Sequence, residues 1–170
     1  IGAQWLMRTL TENGRTDLAY KLATNTTYPS WGYMIENGAT AIWELWHGNV
    51  ASPAMNSYNH VMLLGDFNVW LFENLAGIKT DPNYPGFKRI IMKPSFVPGL
   101  DSVKASFHSM HGLIHSHWVK QDNQLTWHIS IPAYADALVY FPTASKKNIS
   151  DKENFEGCEF YKNFNNRIIY

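Results

Sequence analysis

Thr80-Asp-Pro-Asn-Tyr-Pro-Gly86 is the stretch at which the chain changes its period. Its two prolines and a glycine interrupt regular structure, so a turn-rich linker is expected here. Upstream, apolar residues recur at helical spacing. Downstream they alternate. The chain is therefore expected to be α+β, with helical hairpins over residues 1–78 and a β-domain over residues 79–170.

Beyond the linker, Lys88 to Lys93, Ser102 to Ser109, Leu113 to Lys120, Leu125 to Ile131 and Ala137 to Phe141 are short runs rich in β-branched and aromatic residues. Pro98-Gly99, His111-Gly112, Asp122-Asn123 and Pro132 separate them, and this spacing predicts hairpins in an antiparallel sandwich or half-barrel. Trp118 and Trp127 fall in alternating strands and read as core. Residues 144–157 are polar and turn-like, and two runs between Cys158 and Tyr170 predict a last hairpin. His115-Ser-His117 puts two imidazoles on one face of a strand, a spacing that can bind metal. No acidic or cysteine partner is placed to complete such a site, so the histidines read as a solvated face, and no metal or cofactor is assigned.

Before the linker, residues 4–11 and 15–23 read as helices on either side of Asn13-Gly14, the pattern of an antiparallel αα-hairpin. Tyr28-Pro29-Ser30 breaks the helix, and Trp31 to Ile35 reads as an irregular aromatic segment, a candidate cleft wall. A long helix is predicted from Tyr58 to Ala76, where His60, Leu64, Phe67, Leu71 and Leu75 form one apolar stripe. Asp66 and Glu73 lie off that stripe and read as solvated or capping charges.

Between these helical stretches lies Glu36-Asn-Gly-Ala-Thr-Ala-Ile-Trp-Glu-Leu-Trp-His-Gly48. Glu44 sits at its centre, beside Trp43, Trp46 and His47. A carboxylate among aromatic rings suits chemistry in which positive charge develops at carbon, as in the glycosyl oxocarbenium ion. Thr40 is a candidate N-cap that would put Glu44 in the first turn of a short helix, where the dipole favours the anion. An anionic carboxylate can serve as general base or nucleophile. The competing reading is a Glu that only complements a helix start, flanked by core tryptophans. His60, at the end of the next apolar stripe, likewise reads either as a packed histidine or as a neighbour of the carboxylate.

Composition narrows the function classes. With 45% hydrophobic and 16% charged residues the chain is globular rather than disordered. Its 14 basic and 14 acidic residues cancel, and no basic run offers a surface to nucleic acid. No apolar run is long enough to span a bilayer, so no membrane partner is expected. Cys158 is the only cysteine, which excludes an internal disulfide. Ile1-Gly-Ala-Gln-Trp5 lacks an initiator Met, and Arg167-Ile-Ile-Tyr170 reads as a strand, so the chain is expected to be a piece of a larger protein.

Three stretches carry a family resemblance: Gly38-Ala-Thr-Ala-Ile-Trp-Glu-Leu-Trp46, Met55-Asn-Ser-Tyr-Asn-His60, and Ala76-Gly-Ile78 followed by Pro85-Gly-Phe-Lys88 and Ile91-Met-Lys-Pro94. In this order and spacing they resemble the bacterial α-L-rhamnosidases of glycoside hydrolase family 78, over about residues 1–142. The resemblance implies the last helices of an (α/α)6 barrel followed by a C-terminal β-sandwich. It also implies that Glu44 is the general base of an inverting hydrolysis, that His60 contacts rhamnose, and that Trp43 and Trp46 lie beside the sugar. The family's general acid would lie upstream of Ile1, and neither Glu36 nor Asp66 fits that role, so the isolated chain is expected to be inactive. The implied partners are a rhamnose-containing glycan or glycoside and the rest of the parent enzyme. Helices cut from a closed ring also predict self-association through Trp5, Leu10 and Leu22. A non-catalytic carbohydrate-binding or structural module is the alternative, and it would need exposed aromatic residues on the sheet.

Overall fold

The computed structural model describes residues 2–122, 124–142, 162–164 and 167–169. Cys158 and the polar run 144–157 lie outside the described residues. The chain forms two compact units, Ile1–Leu71 with Val97–Gly99, and Phe72–Phe96 with Leu100–Tyr170.

The first unit begins with the expected helical hairpin, α1 (Gly2–Glu12) and α2 (Thr16–Ala23). At the end of α1, Gly14 takes φ +75°, its N–H donates to Thr11 O at 3.0 Å, and the Arg15 N–H donates to Leu10 O at 2.7 Å. This is the Schellman arrangement, which needs a left-handed residue and so a glycine. Helix α4 (Val61–Trp70) packs on α1. Two polar ties fix that packing: Arg8 pairs with Asp66 at 3.1 Å, and the buried Trp70 donates from Nε1 to Thr11 Oγ1 at 2.8 Å. Asp66 is thus a shielded ion-pair partner rather than a solvated or capping charge. Glu73, in the second unit, also has a cation near it, Lys79 at 3.7 Å.

Residues 31–36 depart from expectation. They form a short helix, α3 (Trp31–Glu36), because Ser30 caps it: the buried Ser30 Oγ accepts from the Tyr33 N–H at 2.9 Å. The Trp31 ring lies 5.3 Å from Trp46 and 4.8 Å from Phe67, and this aromatic contact anchors α3. Trp5, Leu6 and Leu22 on α1 and α2 remain exposed.

The long helix expected from Tyr58 to Ala76 is also different. Its α-helical part is α4 alone, and a π-helical turn follows over Leu71–Leu75. Donors elsewhere in the second unit take up the carbonyls at its end. Ser95 N–H bonds Asn74 O at 2.7 Å, Trp118 Nε1 bonds Leu75 O at 2.8 Å, and Ser116 Oγ bonds Ala76 O at 2.7 Å. Chain-end carbonyls satisfied in this way need no further helical turn.

The second unit is a sandwich of two sheets. One is mixed and five-stranded, in the order β1 (Ile78–Thr80), β2 (Arg89–Met92), β6 (Asp136–Phe141), β8 (Arg167–Ile169), β7 (Lys162–Phe164). The other is a meander of β3 (Ser102–Ser109), β4 (Gly112–Gln121) and β5 (Gln124–Ser130). The pairs are antiparallel as expected, except that β2 and β6 run parallel, with Arg89 opposite Asp136. The last hairpin forms as β7 and β8, and β8 pairs with β6 within the chain. Among the described residues, β1 is the one strand with no counterpart among the expected strands.

Alternation sets the core. Ile90 and Met92 of β2 and Ile114 of β4 are fully buried, with Val103, Trp127, Ile129 and Val139 packed against them from both sheets. Each such aliphatic side chain contributes about 1.5–3 kcal/mol. Within this core Ser116 also accepts from Trp127 Nε1 at 3.0 Å. Trp118 is buried as the sequence suggested, whereas Trp127 is only partly buried and packs against the core from β5.

Candidate active site

Glu44 lies in an irregular loop, not in a helix. Residues 40–60 run as turns, bends and extended pieces. The reason is visible in the hydrogen bonds, because groups that a helix starting at Thr40 would use, the Glu44 N–H and the Ile42 carbonyl, bond across the loop instead. Glu44 N–H donates to Ser57 O at 2.9 Å, and His60 N–H donates to Ile42 O at 2.7 Å. These two bonds lay Ile42–Glu44 beside Ser57–His60. The anion's partner is therefore a single backbone donor rather than a helix dipole: Ser57 N–H bonds Glu44 Oε2 at 3.1 Å. The carboxylate itself stays exposed.

The same pairing sets His60 across the brace from Glu44. His60 is half-buried and stands at the N-cap position of α4 without a side-chain capping bond. Its ring is not spent on closing the helix.

The two tryptophans differ. Trp43 is only 5% exposed, edge-on to Tyr58 at 6.3 Å between ring centres. Gly48 also lies against the indole, where an added Cβ would stand 2.8 Å from it. Glycine at 48 is thus a requirement of space. Trp46 is half-buried and meets Trp31 edge to face. His47 is exposed, and its carbonyl accepts the Val50 and Ala51 N–H groups, which turns the loop back toward residue 56.

Glu36 is exposed at the end of α3, and Asp66 is held by Arg8. In the second unit, His115, His117 and His128 form a row with ring centres 6.5 and 5.9 Å apart, and Ser106 Oγ lies 3.0 Å from His115 Nδ1. Among the described residues no group of three or more His, Cys, Asp or Glu could hold a metal ion. No helix among them is long and apolar enough to cross a membrane.

Ser57 and Asn56 are the residues that reasoning from side-chain type overlooks. Ser57 acts through its backbone, which carries no residue-specific signal. Asn56 accepts the Leu45 N–H on its Oδ1 at 3.1 Å, a contact that bridges the loop and leaves no mark in local sequence.

Helical hairpins followed by a β-sandwich is also the order of parts in the two family domains that this chain matches. Residues 1–75 match the bacterial alpha-L-rhamnosidase 6 hairpin glycosidase domain, and residues 77–156 match the bacterial alpha-L-rhamnosidase C-terminal domain. The chain belongs to the bacterial α-L-rhamnosidase family. It is 34% identical over 147 residues to an α-L-rhamnosidase of Streptomyces avermitilis, covering 84% of this chain and 14% of that protein. An α-L-rhamnosidase of Formosa agariphila is 34% identical over 161 residues, covering 91% and 17%. The crystal structure of the Streptomyces avermitilis α-L-rhamnosidase complexed with L-rhamnose superposes with a TM-score of 0.85 at 29% identity, covering 99% of this chain and 16% of that one. The chain thus spans about a sixth of the length of these relatives.

Proposed function

We propose that this chain is the C-terminal part of an inverting α-L-rhamnosidase, and that Glu44 is the general base that activates water against the anomeric carbon of a terminal α-L-rhamnose. In this reading residues 1–78 are the closing helices of the catalytic (α/α)6 barrel and residues 79–170 its β-sandwich. The observation that carries it is the Glu44 carboxylate, exposed yet tethered through one oxygen to the Ser57 N–H. One oxygen held and the other open is what a base needs in order to take a proton from water in a fixed direction. His60, set across the same brace, holds the sugar. Trp46 keeps accessible ring area for it, whereas Trp43, being buried, supports the motif from behind.

An inverting mechanism also needs a carboxylic acid about 6.5–9.5 Å from the base. Neither Glu36 nor the paired Asp66 suits that role, so the acid is assigned to the remainder of the parent enzyme, and the 170-residue chain alone turns over no aryl α-L-rhamnoside. The full burial of Trp118 supports this reading over a carbohydrate-binding module that uses that ring.

The test uses the full-length enzyme. Glu44→Gln keeps the shape of the side chain and removes the proton acceptor, so kcat is expected to fall by about 10²-fold to 10⁴-fold with KM little changed. Azide attacks without a base and should restore turnover of a substrate with a good leaving group, giving the β-configured glycosyl azide. His60→Ala should weaken substrate and transition state together and should not respond to azide. Full activity in Glu44→Gln removes Glu44 from the mechanism, and wild-type product of retained configuration removes the inverting assignment.

A further inference from the structure

Asn56 is only 7% exposed, yet its amide is half used. Oδ1 accepts from the Leu45 N–H at 3.1 Å, while the buried Nδ2 has no hydrogen-bond partner among the described residues. The amide can face only this way, because only its oxygen can accept from an N–H. A buried donor left unpaired costs about 1–3 kcal/mol. An apolar side chain would avoid that cost, so stability by itself gives no reason for an amide here. The bond that Asn56 does make falls on the peptide immediately after Glu44.

We propose that Asn56 is a positioning residue for the Glu44 carboxylate. The backbone on both sides of the Glu44 Cα is held by two consecutive residues of the facing segment. Ser57 O takes the Glu44 N–H at 2.9 Å, and Asn56 Oδ1 takes the Leu45 N–H. With both peptides fixed, the side chain leaves the loop in one direction, and its Oε2 reaches the Ser57 N–H at 3.1 Å. Removing the Asn56 oxygen frees the Leu45 peptide to rotate, and the carboxylate loses its aim without losing its chemistry. The inference rests on the reading of Glu44 as the base.

The test compares Asn56→Ala, Asn56→Asp and Glu44→Gln in the full-length enzyme, with an aryl rhamnoside bearing a good leaving group. Asn56→Ala should lower kcat by about tenfold to a hundredfold, the scale for a reacting group displaced by about 1 Å, with KM within about twofold. Azide should restore its turnover, because azide bypasses the base; a general loosening of the fold would not be rescued. Asn56→Asp keeps an acceptor oxygen for Leu45 and should recover most of the rate. If Asn56→Ala does not fold, Asn56→Asp carries the test: near wild-type turnover supports the proposal, and a loss that azide leaves unrepaired overturns it. Wild-type kcat in Asn56→Ala beside an inactive Glu44→Gln overturns the positioning role and leaves the base intact, whereas an active Glu44→Gln overturns the base. Amide hydrogen exchange in the full-length enzyme gives a readout independent of turnover. The Leu45 and Ser57 N–H groups should exchange faster in Asn56→Ala, and unchanged exchange at both would refute the clamp.

Discussion

The two units solve the same problem, how to hold a turn of backbone in place, by opposite means. In the β-unit the groups that secure the end of the helical segment are themselves core: Ser116 and Trp118 are buried, and each bonds a carbonyl of Leu75 or Ala76. In the helical unit the Glu44 carboxylate is held by an exposed bond from the Ser57 N–H, and the loop behind it by the part-buried Leu45–Asn56 bond, with Trp43 and Gly48 as the packed support. The β-unit shields its fastenings from water. The helical unit leaves its carboxylate open, and α1 and α2 keep Trp5 and Leu22 at 55% and 38% exposure. A surface-held loop keeps one side free for another molecule, and a core-held turn does not.

Three substitutions probe that contrast. Trp118→Ala empties a fully buried site and leaves the Leu75 carbonyl without its indole donor, so a loss of about 3–5 kcal/mol is expected in denaturant unfolding of the β-unit. A loss under 1 kcal/mol would mean that the core-held turn is not held by the core. Gly48→Ala pushes a methyl toward the Trp43 ring, and about 1–3 kcal/mol is expected from the forced shift. The exchange rates of the Glu44 and Leu45 amides should rise with it, and protection unchanged from wild type would show that Trp43 does not support the loop. The smallest effect on stability belongs to Trp5→Ser with Leu22→Ser, within about 0.5 kcal/mol because both side chains are exposed. Association is where this pair should matter. The wild-type chain is expected to sediment as a concentration-dependent oligomer and the double variant as a monomer, and a wild type that stays monomeric at high concentration would break the link between these exposed faces and self-association.

The parts legible in the sequence are those fixed by local pattern. Strand β3 covers Ser102–Ser109 as the alternation predicts, and the α1–α2 hairpin turns at Asn13-Gly14 because a Schellman ending requires a residue like glycine. Helix α3 was hidden by its own cap, since Ser30 follows a proline and reads as part of a break until its Oγ is seen on the Tyr33 N–H. The three residues of β1 are too few to display an alternation. In the candidate site the residue types point to Glu44 and His60, but the conformation of residues 40–60 depends on bonds between Ile42–Leu45 and Asn56–His60. Those are tertiary contacts, and a helix-start reading of Thr40 had no access to them.

The parallel pairing of β2 with β6 has a consequence for the order in which the sandwich assembles. The meander β3–β4–β5 is built from neighbouring hairpins, whose loops close at small entropic cost and on microsecond scales. Strand β2 must wait with an open edge until Asp136–Phe141 exists to lie beside it, and pairings so distant in sequence form late. On a ribosome that interval is the time taken to synthesise the whole meander, so during it Ile90 and Met92 belong to an apolar strand paired on one edge only, with β1. The nascent chain is then most exposed to misassociation just before β6 emerges, and a chaperone acting on this protein would find its substrate there.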